Sequence, residues 1–174
     1  MSLPPVLRRM MLAVHVICSV GWIGAAASYL ALGLAAQFSQ RGHLVRAAWL
    51  AMELTGWYVI VPLGCLALLT GLVMALGTPW GLVRHYWVLI ASLLTSFALL
   101  ILILHMPSVT ASARLAATAD DPTAARLAGD VLHPAVGLLV LVFIAVLNIY
   151  KPRGLTGFGA RPRSRRPAPA EEGS

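Results

Sequence analysis

The stretch that most constrains this chain is an apolar run between two histidines, His85 and His105. From Tyr86 to Leu104 no residue carries a formal charge. At about 1.5 Å of rise per residue, the two histidines lie about 30 Å apart along a helix, which is the thickness of a bilayer's hydrocarbon core. The stretch therefore predicts a membrane-crossing helix with an imidazole at either interface.

The composition extends this prediction to the whole chain. Of its 174 residues, 59% are hydrophobic and only 11% are charged, whereas a soluble domain averages about 25% charged residues. The length allows about four crossings of about 20 residues each. We therefore expect an all-α fold, an integral membrane four-helix bundle.

The pattern divides the chain into one transmembrane domain and a tail. The domain is predicted over residues 1–150, with helices at about 10–36, 55–76, 85–105 and 131–150. The second helix has an alternative start near Leu44. Between the last two helices we expect a loop, 107–130, with a short surface helix capped by Asp121 ahead of Pro122. Residues 151–174 are rich in arginine, proline and glycine and predict a disordered, basic cytoplasmic tail.

The basic residues predict the orientation. Four crossings place both termini on one side, which then holds nine of the 13 basic residues and leaves four on the other. The positive-inside rule assigns the richer side to the cytoplasm, so we expect a multi-pass protein of the plasma (cytoplasmic) membrane, N-in and C-in. The net charge of +7 comes from basic residues at helix ends and in the tail, so it does not indicate that the protein binds nucleic acid.

Several candidate ligands fall together on the predicted outer side. The second helix enters there with Met52 and Glu53, and the third leaves there with His105 and Met106. The fourth enters with Asp130 and His133, which are three residues apart and share a helical face. Ionisable residues at membrane depth are costly and are therefore candidates for function.

These outer residues suit either of two cofactors. Imidazole and thioether groups suit copper, which gives a metal set of Met52, Glu53, His105, Met106 and His133. Alternatively, histidines from facing helices can hold haem b as axial ligands, with Asp130 orienting the ring of His133. A plainer interpretation is that both histidines bond to headgroups or loop carbonyls and that Glu53 begins a helix.

On the predicted inner side, His15 is the main candidate. It shares one face of the first helix with Cys18 and Trp22. We include His15 with His105 and His133 as candidate cofactor-binding residues. The alternative is a buried histidine that bonds to a serine or a backbone carbonyl.

A second class of function rests on small residues in the first helix. Gly21 with Ala25, and Gly24 with Ser28, are four residues apart, a spacing that lets helices approach closely in lipid. This pattern favours a structural or accessory membrane subunit without a cofactor. The partners consistent with the sequence are the lipid bilayer, a second copy of the chain and a membrane redox partner. No nucleophile–base set, phosphate loop or Rossmann pattern supports hydrolase or nucleotide chemistry.

Longer motifs carry a family resemblance. HVICSVGWIG, VPLGCLALLTGLVMALGTPWGLVRHYWVLIASLL, LHMPSV and IYKPRGLTGFG resemble an uncharacterised family of predicted four-helix integral membrane proteins common in high-GC actinobacteria. The match spans about residues 10–160, and it implies the fold without implying an activity.

Two more distant resemblances imply a cofactor. His15, Trp22 and Gly24 are similar to the histidine and W-x-G pattern of copper-resistance D membrane proteins. Trp87, His105 and Lys151-Pro152 are similar to the four-helix, haem-binding bacterial protoporphyrinogen oxidase. Ala91 stands where that enzyme has a lysine, so this resemblance implies haem binding through His15 or His105 rather than the oxidation reaction.

Overall fold

The computed structural model describes residues 4–77, 81–152, 154 and 156, and its regular elements are helices. They are α1 (Pro5–Phe38), α2 (Gly42–Thr55), α3 (Val61–Gly77), α4 (Tyr86–Thr118), α5 (Asp121–Ala124) and α6 (Leu132–Tyr150). A π-helical turn, Gly56–Ile60, joins α2 and α3 into one span of 36 residues. In the described ranges, four spans are long and apolar enough to cross a membrane, which confirms the predicted all-α class and matches the predicted number of apolar helices.

The helix ends differ from the predicted apolar segments. Helix α1 begins at Pro5, and the second span already begins at Gly42, because helices continue beyond the apolar length that a membrane requires. The predicted tail lies outside the described residues except for 151, 152, 154 and 156.

The largest difference concerns α4. The third helix was predicted to end at His105, with a loop from Pro107, but α4 continues through Pro107 to Thr118. This part of the prediction is wrong. Beyond the proline, Val109, Ala113 and Ala116 are fully buried at helical spacing, and this part of the chain packs on α2. Alanine has the highest helix propensity, and the packing compensates for the hydrogen bond that Pro107 cannot donate.

The π-helical turn coincides with a proline. Pro62 has no N–H to donate to the carbonyl of Tyr58, and its ring crowds that carbonyl. The widened turn over Gly56–Ile60 accommodates this defect within the span. The same turn brings Gly56 so close to α4 that a Cβ there would lie 2.5 Å from Cε of Met106.

Arg46 ties α2 to the end of α4. Its Nε donates to the Ala116 carbonyl at 3.0 Å, and its Nη2 donates to the Ala119 carbonyl at 2.7 Å. The same Nη2 lies 3.3 Å from Asp121 Oδ1. These bonds satisfy carbonyls that a helix end leaves without partners, and they fix the start of the segment 119–131.

The N-cap of α5 is one residue earlier than predicted. Asp120, rather than Asp121, accepts a hydrogen bond from the backbone N–H of Thr123 at 3.2 Å. Hydrogen bonding from the Thr123 side chain, and then from its backbone N–H, favours the ionised carboxylate and lowers the pKa of Asp120. Asp121 is instead the first residue of the helical turn and is available to Arg46.

The outer surface of the bundle carries many large apolar side chains. The core includes Trp22, Tyr29, Trp49, Met52 and Met106 and lies where α1, α2, α3 and α4 meet. Large apolar side chains also point outwards, among them Phe97 at 63% and Leu139 at 70% exposure. Such a surface is unfavourable in water and is compatible with an environment of lipid tails.

The two pairs of small residues in α1 lie in different surroundings. A Cβ at Gly21 would meet Leu63 of α3 at 3.4 Å, and Ala25 packs against the core. In contrast, a Cβ at Gly24 would have no neighbour within 4 Å, and Ser28 donates to the Gly24 carbonyl. Gly21 and Ala25 therefore serve packing within the chain, and Gly24 and Ser28 remain on the surface.

Candidate metal centre

The candidate centre forms where α4, α6 and the segment 119–131 meet. His105 projects from α4, while His133 lies in the first turn of α6. Asp130 lies two residues before α6, and its backbone lies against α1. A Cβ at Gly33 would overlap the carbonyl oxygen of Asp130, and one at Gly129 would overlap that of Gly33. The close approach of these backbones therefore requires glycine on both sides, and it fixes Asp130 in position.

Asp130 is the centre of the cluster. Its Oδ2 lies 2.7 Å from Nε2 of His105 and accepts a hydrogen bond from the hydroxyl of Tyr29 at 3.2 Å. Its Oδ1 lies 3.4 Å from Nδ1 of His133. The carboxylate is only 8% exposed, and a buried charge is tolerated when donors such as these surround it.

The two imidazoles stack on each other. Their ring centroids are 3.7 Å apart, and the ring planes differ by 18°. Ser108, one turn along α4, places its hydroxyl 3.3 Å from Nδ1 of His105 and 2.8 Å from that residue's carbonyl oxygen. Nε2–H of His105 donates to the Asp130 carboxylate, which only accepts when ionised, while the Ser108 hydroxyl donates its single proton to the carbonyl oxygen of His105.

The two histidines of the cluster differ in solvent exposure. The side chain of His105 is 19% exposed and that of His133 is 50% exposed. The group combines one carboxylate with two imidazoles, which are all groups that can bind a metal cation. A cation can reach it from the side of His133, the more exposed member.

The geometry fits a single metal ion. One ligand atom from each of His105, Asp130 and His133 lies within 4.8 Å of the other two. Ligands at about 2.0–2.2 Å from one ion lie about 3–3.5 Å from each other, so small side-chain movements suffice. Two imidazoles and a carboxylate form a common set for first-row transition metals.

A haem between these two rings does not fit. Axial ligands stand on opposite faces of the macrocycle, whereas the rings of His105 and His133 touch face to face at 3.7 Å. The stacked arrangement leaves no space for a macrocycle between them. A metal ion at the edge of the stack, beside Asp130, needs no such space.

Two of the other predicted metal ligands, Met52 and Met106, lie next to residues of the cluster. Met52 and Met106 are fully buried. The thioether of Met52 would lie 3.8 Å from a Cβ at Gly33, next to the Asp130 backbone, and Met106 lies beside Gly56 near the ring of Tyr29. Glu53 is half-buried and does not belong to the group that can share an ion.

His15 lies in a different part of the bundle. It is 14 residues before Tyr29 on α1, which is about 21 Å along the helix axis. Its Nδ1 lies 3.0 Å from the carbonyl oxygen of Ala67 and 3.1 Å from Oγ1 of Thr70 on α3. This arrangement agrees with the plainer interpretation of His15, and it separates His15 from His105 and His133.

Tyr29 is the contact that sequence reasoning missed. Its hydroxyl is the polar group of α1 that reaches Asp130, and its side chain is 4% exposed. The available signal was a tyrosine within an apolar helix, whose hydroxyl needs a partner when buried. Identifying that partner required the rotation of α1 relative to α6.

Comparison with known proteins adds no information about this centre. No known protein family, curated protein or solved structure matches the chain.

Proposed function

We propose that the chain is a multi-pass protein of the plasma membrane that binds a transition-metal ion at His105, Asp130 and His133. The four apolar spans and the lipid-like outer surface support membrane insertion. The excess of basic residues beside the termini supports an N-in, C-in orientation. In that orientation the metal centre faces the outside of the cell.

The observation that carries the proposal is the convergence on Asp130. A buried carboxylate with two imidazoles, contributed from separate helices, is an arrangement that a bound cation stabilises further. Each ring must offer an unprotonated nitrogen to the ion, so binding releases protons and weakens in acid.

Copper is the metal that this set favours. Among divalent first-row ions, Cu²⁺ has the highest affinity for nitrogen and oxygen ligands. The buried thioethers of Met52 and Met106 lie at the same end of the bundle, and thioethers suit Cu⁺. A role in handling or sensing external copper, or in passing electrons through it, agrees with this location.

The protein's own residues have distinct tasks in this centre. Asp130 supplies the charge, and Tyr29 holds the carboxylate through its hydroxyl. His105 and His133 supply nitrogen ligands, of which His133 is the more accessible. The ion, when bound, supplies a positive charge and, for copper, a redox couple.

Metal titration of the detergent-purified protein tests the proposal. We expect one Cu²⁺ per chain by calorimetry and elemental analysis, and we expect His105→Ala to remove that binding because it deletes a ligand. His43→Ala is the matched control, since His43 is an exposed histidine at the same end of the bundle, outside the cluster.

Three outcomes would contradict the proposal. Unchanged stoichiometry in His105→Ala would exclude the centre as the binding site. A Soret band in the purified protein would indicate haem b instead. Absence of both metal and haem would favour the structural or accessory role.

A further inference from the structure

A second site lies at the other end of the bundle from the candidate metal centre. A cavity of about 460 Å³ opens between α1, α3, α4 and α6, within the range of about 300–1,000 Å³ that ligand pockets occupy. Helices α1 and α4 each pack against α3 and α6, so they face each other across this cavity. Val16 and Ile149 line it and are exposed apolar side chains, so the cavity opens onto the apolar outer surface of the bundle.

The α1 wall of the cavity presents a hydrogen-bond acceptor. His15 lines the cavity, and its Nδ1 lies 3.0 Å from the carbonyl oxygen of Ala67 and 3.1 Å from Oγ1 of Thr70. Because a carbonyl only accepts, Nδ1 carries a proton. The Thr70 hydroxyl donates its own proton to the Leu66 carbonyl at 2.6 Å, so it also accepts from His15. Nε2 of the neutral ring is then an acceptor, and it has no hydrogen-bond partner among the described residues.

The opposite wall presents hydroxyl groups. Ser92 and Thr95 of α4 line the cavity and are three residues apart, which places them on one face of the helix. Both are half-buried, and neither side chain hydrogen-bonds to another residue in the described part of the chain. A helical serine or threonine can donate to a carbonyl of the preceding turn, as Thr70 does. The two hydroxyls of α4 are instead available to an occupant of the cavity.

Much of the remaining wall is apolar or aromatic, with Trp22, Leu72, Leu141 and Ile144 among its residues. An acyl chain alone would suit these side chains, but it would leave Nε2 of His15 and the two hydroxyls without partners, which is costly in apolar surroundings. The occupant that matches the whole cavity is a flat apolar ring with oxygen atoms on opposite sides, at least one of which donates a hydrogen bond.

We propose that this cavity binds a membrane-soluble hydroquinone (a quinol). One ring hydroxyl donates to Nε2 of His15, and the oxygen on the far side of the ring hydrogen-bonds with Ser92 and Thr95. The ring packs against Trp22, and the apolar tail extends along the wall to the outer surface. The oxidised quinone carries carbonyls that only accept, so it has no donor for His15 and binds less tightly. This site and the metal centre are at opposite ends of the bundle, so loss of one leaves the other intact.

Equilibrium gel filtration of the full chain in detergent, with decylubiquinol as the probe under anaerobic conditions, tests this site. We expect one decylubiquinol per chain. Decylbenzene, which carries the same tail on a ring without oxygen atoms, should bind at least about 10-fold more weakly because it makes none of the hydrogen bonds. Decylubiquinone should bind about 5-fold more weakly than decylubiquinol, which is the usual effect of losing one hydrogen bond.

Two variants test the two walls separately. His15→Phe keeps an aromatic ring and removes the acceptor, so it should weaken decylubiquinol binding about 5–10-fold and abolish the preference for the reduced form, with little effect on decylbenzene. Ser92→Ala/Thr95→Val removes both hydroxyls at nearly constant volume and should weaken decylubiquinol binding by a similar factor. His43→Phe is the matched control, since His43 is exposed and lies outside the cavity. Circular dichroism verifies that each variant remains folded.

Four outcomes would each overturn the proposal. They are equal affinity of the wild-type chain for decylubiquinol and decylbenzene, a wild-type chain that binds no decylubiquinol, a preference for the reduced form that survives in His15→Phe, and a Soret band that is lost in His15→Phe. The last outcome would assign the cavity to haem.

Discussion

Replacing Asp130 with leucine is expected to abolish metal binding and to destabilise the protein. The substitution removes the acceptor of Tyr29 and His105 and leaves their donors buried. Each unsatisfied buried donor costs about 1–3 kcal/mol, so we expect a loss of about 2–4 kcal/mol. The midpoint temperature of thermal unfolding in detergent should fall by about 5–10 °C.

In the same experiment, Asp130→Asn removes the charge of the side chain and keeps its shape. The amide keeps an acceptor oxygen for Tyr29, so stability should fall less than in the leucine variant. Metal affinity should still weaken by about 10–100-fold, the usual effect of losing a carboxylate that ligates or orients an imidazole. Asp120→Asn is the control, because asparagine caps a helix as well as aspartate does and Asp120 lies outside the cluster. Wild-type affinity in Asp130→Asn would be inconsistent with the proposed centre.

Replacing Gly33 with alanine is expected to disrupt the centre without touching any of its ligands. The added methyl would overlap the carbonyl oxygen of Asp130 and lie 3.0 Å from its carbonyl carbon. Both are backbone atoms, so the segment that carries Asp130 must move away from α1. Overpacking of this kind costs about 1–3 kcal/mol, and the displaced carboxylate should no longer meet both imidazoles.

Gly24→Ala provides the matched control for this substitution. Gly24 lies nine residues earlier in the same helix, and a Cβ there would meet nothing within 4 Å. Alanine is the better helix former, so the control should bind metal normally and unfold at the same or a slightly higher temperature. Normal metal binding by Gly33→Ala would show that the close contact between α1 and Asp130 does not position the centre.

Much of the fold could be predicted because apolar length alone identifies a helix that could cross a membrane. The stretch from Tyr86 to Leu104 contains no charge, and it lies within one helix. The end of α4 could not be found this way, because residues beyond Pro107 are held by packing on α2 rather than by an apolar environment. The spacing of Val109, Ala113 and Ala116 carried a helical signal, but the proline obscured it.

The candidate centre was only partly predictable. Alternating helix directions bring the end of α4 and the start of α6 to one side, so His105, Asp130 and His133 could be grouped from the sequence. Helix rotation decides the rest, because it turns Tyr29 towards Asp130 and buries Met52 and Met106 beside the cluster. Rotation depends on contacts such as that between Gly33 and Asp130, which an isolated sequence does not reveal.

Electron paramagnetic resonance of the protein loaded with one equivalent of Cu²⁺ tests the central claim most directly. The proposed centre predicts a single copper species coupled to two imidazole nitrogens, and it predicts that His133→Ala reduces the coupling to one imidazole. A copper signal without imidazole coupling, or the same two-imidazole signal in His133→Ala, would contradict the assignment of His105, Asp130 and His133 as a metal centre.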